Sequence, residues 1–358
     1  MKRNNAIEFW RFVFTMCVVM AHAWLCTGLN QGKYIFCSGG YSVEFFFILS
    51  GFFLAKTCKK AAGTDEPIVL SLKYTLKRFT QIAPMYYLTF CAALLTRLKW
   101  FKIIGQTSSE MLQYIKSVWR EFFMLNGVLN YDNQANIPSW YLSVLLIIGF
   151  FVYLLVAIML KQKFPTVLPL FVSAIILFIY YYSGTCNWSL FAYDVRGLAA
   201  LLFGAGTYFT YEKLKDIKFN STQKCILSIV ELVCIAAMLY FVPFRPIDKY
   251  TPLVVIPFAL LILISMLNTT LISTILNNRL SYWLGRICMG VYLGHMTLLI
   301  EFGMKAPFDF AAHHRKAYLL IGISSIAYGI LLTIVVDGGK WLLAKISAKM
   351  KAKKAIKV

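Results

Sequence analysis

The first apolar stretch of the chain carries two ionisable side chains, Arg11 and His22, eleven positions apart. In a helix, eleven steps of about 100° return to within ~20° of the starting direction, so both side chains leave one face, about 16 Å apart along the axis. An arginine inside a bilayer costs roughly 2.5 to 3.5 kcal/mol on insertion scales, so a retained stripe of this kind faces protein or water and not lipid. An imidazole screened from water stays neutral near pH 7 and can take a proton from a hydroxyl as that hydroxyl attacks. Arginine is always charged and suits phosphate binding or the steadying of an oxyanion. Glu44, at the outer part of the next apolar run, could orient His22 or bind a sugar hydroxyl. A carboxylate at the start of a helix is also favoured by the helix dipole alone.

The elements that must hold these groups follow from the composition. Of 358 residues, 59% are hydrophobic and 14% charged, against about 25% charged in soluble domains, which excludes an ordinary soluble enzyme. A span needs about 20 mainly apolar residues, and ten segments qualify: approximately 7–27, 41–58, 79–96, 138–160, 165–183, 195–211, 225–243, 250–268, 283–303 and 317–336. The expected fold is an all-α polytopic bundle, with 1–336 as the transmembrane domain and 337–358 as a basic cytoplasmic tail held against anionic lipid. Lysine and arginine crowd the segments on the side of the termini, which places both termini in the cytoplasm. The same bias accounts for the net charge of +21 without a nucleic-acid partner. If the first span starts near Ile7, Arg11 lies about 6 Å inside the cytoplasmic boundary and His22 about 22 Å in, so the two address opposite sides.

Other features are bounded more briefly. Ala21-His22-Ala23 resembles a signal-peptidase site, but Glu8 and Arg11 interrupt the preceding run, so the segment reads as a retained span. Nine cysteines show no C-x-x-C pair and lie mostly in apolar runs; Cys26 and Cys37 flank the first external loop and could pair in an oxidising compartment. Met111, Leu112, Ile115, Val118, Trp119, Phe122 and Phe123 recur at helical spacing and predict one amphipathic helix on the outer membrane surface. No metal site is expected, and the His313-His314 pair reads as a solvated external loop.

Four motifs together resemble the acyltransferase-3 family of integral membrane O-acyltransferases. The family's first helix carries a basic residue, ten intervening residues and a histidine, here Arg11 and His22. "GYSVEFFFILSGFFLAK" is similar to its aromatic helix ending in Ser-Gly-Phe, here Ser50, Gly51 and Phe52; "KRFTQIAPMYY" matches its arginine motif with Lys77, Arg78 and Pro84; "VYLGH" resembles its late Tyr-Leu-x-His element, here Tyr292, Leu293 and His295. Gln81 stands where the family often has a second arginine, and "PSWYLSVLL" keeps Trp140 and Leu142 of a further element but lacks its following acid.

The resemblance implies an acyl-CoA-dependent O-acyltransferase moving an acyl group, acetyl by expectation, to a hydroxyl of a cell-surface or lipid-linked glycan at a cell membrane. His22, Arg11 and Glu44 form the expected catalytic set. The donor, acetyl-CoA, would be held by Arg78, Lys77, Lys73, Gln81 and Ser50, and the acceptor by Trp140, Tyr141, Tyr292 and His295. An intramembrane stripe of this kind would also suit a transporter or flippase, although the paired broken helices of two related halves are not legible in the sequence.

Overall fold

The computed structural model describes residues 4–27, 36, 38–128, 134–182, 192–244 and 251–355. Fourteen helices and no strand occur among them. In chain order they are α1 (Asn5–His22), α2 (Trp24–Thr27), α3 (Ser42–Ala61), α4 (Pro67–Ile103), α5 (Ser108–Ser117), α6 (Trp119–Phe122) and α7 (Trp140–Lys161). Then follow α8 (Val167–Tyr182), α9 (Ala192–Leu214), α10 (Ser221–Phe244), α11 (Val255–Leu267), α12 (Leu271–Leu276), α13 (Arg279–Met304) and α14 (His314–Ala355). Each of the ten expected spans falls on a helix, and six helical segments are long and apolar enough to cross a membrane.

α3 is the central helix, with Phe45, Phe47, Phe52 and Leu54 wholly buried. It crosses α9 at close range because each contributes a glycine: a Cβ on Gly51 would overlap the Leu201 carbonyl, and one on Gly204 would overlap that of Ile48. Lipid supplies no hydrophobic drive between helices, so such backbone-to-backbone approach is a main source of their attraction. Gly204→Ala is expected to destabilise the bundle by roughly 1 to 3 kcal/mol, since the obstructing atoms are backbone and cannot rotate away. Thermal unfolding in detergent measures this, and an unchanged midpoint would count against the crossing.

α1 lies along α13, which in turn lies along α14, while α4 packs on α7 and α13. The N-terminal end of α1 is pinned: Asn4 caps the helix by accepting from the Ile7 N–H (3.2 Å), and its Nδ2 donates to the Ser265 carbonyl on α11 (2.7 Å). This fixes the rotation of α1, and with it the direction of Arg11 and His22.

Two expectations change. α4 runs unbroken from Pro67 to Ile103, so the lysines expected on a loop before the third span stand on helix. Proline at its first turn lacks only a donor that has no partner there anyway. The amphipathic helix breaks at Val118 into α5 and α6, because Glu121 turns inward and is fully buried; Leu112, Trp119, Phe122 and Phe123 remain exposed, as on a surface laid against lipid. The basic C-terminal segment is helical, forming the end of α14, which runs from His314 to Ala355. Cys37, and with it the Cys26–Cys37 pairing, lies outside the described residues.

Candidate active site

α1 presents a longer polar stripe than the two residues first noticed. Glu8, one turn before Arg11, accepts from its Nη1 at 2.6 Å and is 7% exposed. Gly285 on α13 makes room for that carboxylate, since a Cβ there would strike its Oε2. Thr15, one turn beyond Arg11, continues the line.

Glu8, Arg11 and Thr15 form one wall of a cavity of about 220 Å³. α3 adds Phe46, Ser50 and Phe53, α4 adds Arg78 and Ile82, α7 adds Tyr141, and α13 adds Cys288 and Tyr292. Two guanidiniums therefore share one small space with a single carboxylate, which suits an anionic guest. Arg78 lies 6.0 Å over the Tyr74 ring, and its Nε is buried without a hydrogen-bond partner. The hydroxyls of Ser50 and Tyr141 are 3.1 Å apart, and Tyr141 donates to the Phe46 carbonyl (3.2 Å). Tyr292 packs edge-on against Phe46 and Tyr141 at 5.9 and 5.8 Å, so these three rings form one side of the cavity.

His22 does not line that cavity. It meets His295 one turn beyond Tyr292: His22 Nδ1 lies 3.0 Å from the Val18 carbonyl and 3.2 Å from His295 Nε2, and His295 Nδ1 lies 2.6 Å from the Tyr292 carbonyl. Carbonyl oxygens only accept, so both Nδ1 atoms carry the proton in the neutral rings. The His22 N–H is then shared between Val18 and the His295 Nε2 lone pair, and His22 Nε2 is left with its own lone pair unengaged among the described residues. His295 is fully buried, whereas His22 retains partial exposure. The arrangement sets an imidazole with an available lone pair beside a second imidazole that orients it, the geometry a general base requires. Tyr292 joins the two regions, since its ring lines the cavity and stands 6.3 Å from that of His295.

The remaining expected residues divide. Lys73 pairs with Asp65 at 2.7 Å, and Lys77 and Gln81 are exposed on other faces of α4, away from the cavity. Tyr141 and Tyr292, expected with the acceptor, line the same cavity as the arginines. Trp140 stacks on Tyr193 (4.2 Å, 18°) and underlies Arg196 at 5.6 Å. Glu44 faces Arg196, which donates from Nε to Oε1 (2.5 Å) and from Nη2 to Oε2 (2.6 Å). The described residues contain no cluster of His, Cys, Asp and Glu able to hold a metal ion.

Glu121 has no counterpart in the sequence reading. Its carboxylate accepts from the N–H groups of Ala135 (2.6 Å) and Asn136 (3.0 Å) and from the Ser139 hydroxyl (3.0 Å). Burial raises this carboxyl to about 7 even though the three donors and the Arg97 charge pull it down. Asn136 Nδ2 then donates to the Leu293 carbonyl at 3.0 Å, tying the segment before α7 to the α13 turn that presents Tyr292 and His295.

A bundle of apolar helices, several of them long enough to span a bilayer, encloses a cavity lined by two arginines beside a histidine pair, the architecture of a multi-pass membrane protein. A family model described as an acyltransferase domain, that of the acyltransferase-3 family, matches residues 4–343, and the chain belongs to this family. No curated protein and no solved structure matches the chain.

Proposed function

We propose that the protein moves an acyl group, acetyl in the first instance, from cytoplasmic acyl-CoA to a hydroxyl of a cell-surface or lipid-linked glycan. The observation that carries this is the α1 stripe, which presents Arg11 to the cationic cavity and, about three turns further along the same face, His22 to His295. The donor's phosphates approach from the cytoplasmic side towards Arg78 and Arg11, and the thioester comes past Tyr292 towards His22. There the acceptor oxygen attacks the thioester carbon, its proton passes to His22 Nε2, and the carbon–sulfur bond breaks. The proton then goes to the departing CoA sulfur, so His22 is neutral again at the end of the turnover. Arg11 steadies the donor or the developing oxyanion, and His295 holds the base in the required tautomer.

The direct test incubates purified protein in lipid nanodiscs with acetyl-CoA labelled in the acetyl group and with envelope glycan. Covalent label in the glycan and stoichiometric free CoA are expected. Movement of glycan or donor across a vesicle membrane with no covalent transfer would overturn the proposal.

A further inference from the structure

One turn outward of the histidine pair lies a second cavity, also of about 220 Å³, which the acyl-transfer chemistry above does not use. Its walls are Leu25 of α2, Arg97 and Trp100 of α4, and Met296, Leu299 and Gly303 of α13. Leu25 follows His22 by three residues, and Leu299 follows His295 by four, so it shares a face with His295 about 6 Å further along the axis. The cavity therefore sits over the histidines on the side away from Arg11 and Arg78. Its floor is apolar, with Met296 and Leu299 buried, and Gly303 leaves its mouth open.

Arg97 is the polar group of this space. Its Nε is buried and has no hydrogen-bond partner. The charges around it are committed elsewhere: Lys99 of α4 pairs with Glu301 of α13 at 2.7 Å, and the Glu121 carboxylate, near enough to feel the Arg97 charge, is occupied by Ala135, Asn136 and Ser139. A guanidinium with a desolvated, unused N–H is best satisfied by a charged acceptor, and its planar fork matches carboxylate and phosphate. Trp100 beside it offers the flat apolar surface on which a sugar ring stacks.

We infer that this cavity is an acceptor subsite for an anionic sugar, in which Arg97 binds a carboxylate or phosphate on the acceptor while the hydroxyl to be acylated reaches His22. The name "acceptor" rests on the acyl-transfer reading; the binding of an anionic sugar does not. The binding test uses the full chain in phosphatidylcholine nanodiscs and saturation-transfer NMR with methyl glucuronide, glucose 6-phosphate and neutral methyl glucoside. Saturation should reach an anionic sugar and not the glucoside, be lost in Arg97→Gln, and be largely kept in Arg97→Lys, which preserves the charge. Equal saturation of all three sugars, or Arg97→Gln behaving as wild type, would overturn the inference. So would displacement of the anionic sugar when phosphatidylglycerol replaces phosphatidylcholine, which would assign Arg97 to lipid headgroups. In the transfer assay Arg97→Gln should raise KM for an anionic acceptor about tenfold or more, with a smaller effect on kcat. Transfer that proceeds with an unchanged KM would overturn the subsite and leave the acyltransferase standing, whereas sugar binding without transfer would do the reverse.

Discussion

His22→Ala is expected to lower acyl transfer by roughly 10² to 10⁴, the usual range for a removed general base, with only a modest fall in thermal midpoint. The stability half of this expectation follows from the contacts: His22 is only partly buried and its loss leaves the Val18 carbonyl within an intact helix, but the buried His295 Nε2 loses its donor, a cost of about 1 to 3 kcal/mol. The activity half follows from the tautomer. His22 Nε2 is the free lone pair of the pair, because His295 spends its own on the shared N–H. His295→Ala should therefore act through His22, lowering kcat and displacing the pH profile of kcat while leaving KM for the donor nearly unchanged. A donor KM effect alone would make His295 a wall of the cavity and not an orienting residue. Normal transfer by a folded His22→Ala protein would remove the base from the mechanism.

The helices and the polar stripe of α1 were readable in the sequence, because both rest on period and hydropathy that act locally. The eleven-residue spacing of Arg11 and His22 needs only helix geometry, and α1 is helical across both positions. Glu8 was equally readable, since a carboxylate three residues before an arginine faces it on a helix; it entered the sequence reading only as an interruption of a signal-like run. The start of α4 at Pro67 was readable in the same way, from a proline opening an apolar run, but Lys73 and Lys77 obscured it because a charged stretch resembles a loop when a span is sought.

Long-range pairings left no such trace. Nothing local connects Glu44 with Arg196, or His22 with His295, because neither partner changes the pattern of its own helix. Glu121 went unread for a physical reason. On a helix lying on the membrane, an acid between apolar residues belongs to the aqueous face. Here the apolar residues remain at the surface and the acid turns inward, held by two backbone N–H groups that come from a distant loop.

The Glu44–Arg196 pair decides whether the second carboxylate of the expected catalytic set is chemical or structural. Glu44 is 2% exposed and the Arg196 side chain 12%, and the guanidinium also donates from Nη2 to the Gly40 carbonyl (2.8 Å) while lying over Trp140. Removing one member leaves the other charged and out of water, so Glu44→Leu or Arg196→Met alone should each destabilise the protein by about 3 to 5 kcal/mol. Replacing both with apolar residues of similar volume removes the two desolvation penalties together, and such exchanges are often neutral or stabilising. The double variant Glu44→Leu with Arg196→Met is therefore expected to regain most of the midpoint lost by either single variant. Both carboxylate oxygens are already engaged by the arginine, so this folded double variant should transfer acyl groups within a few-fold of wild type. Loss of transfer in a double variant that melts like the native protein would instead make Glu44 part of the reacting centre, and would require the ion pair to open during turnover.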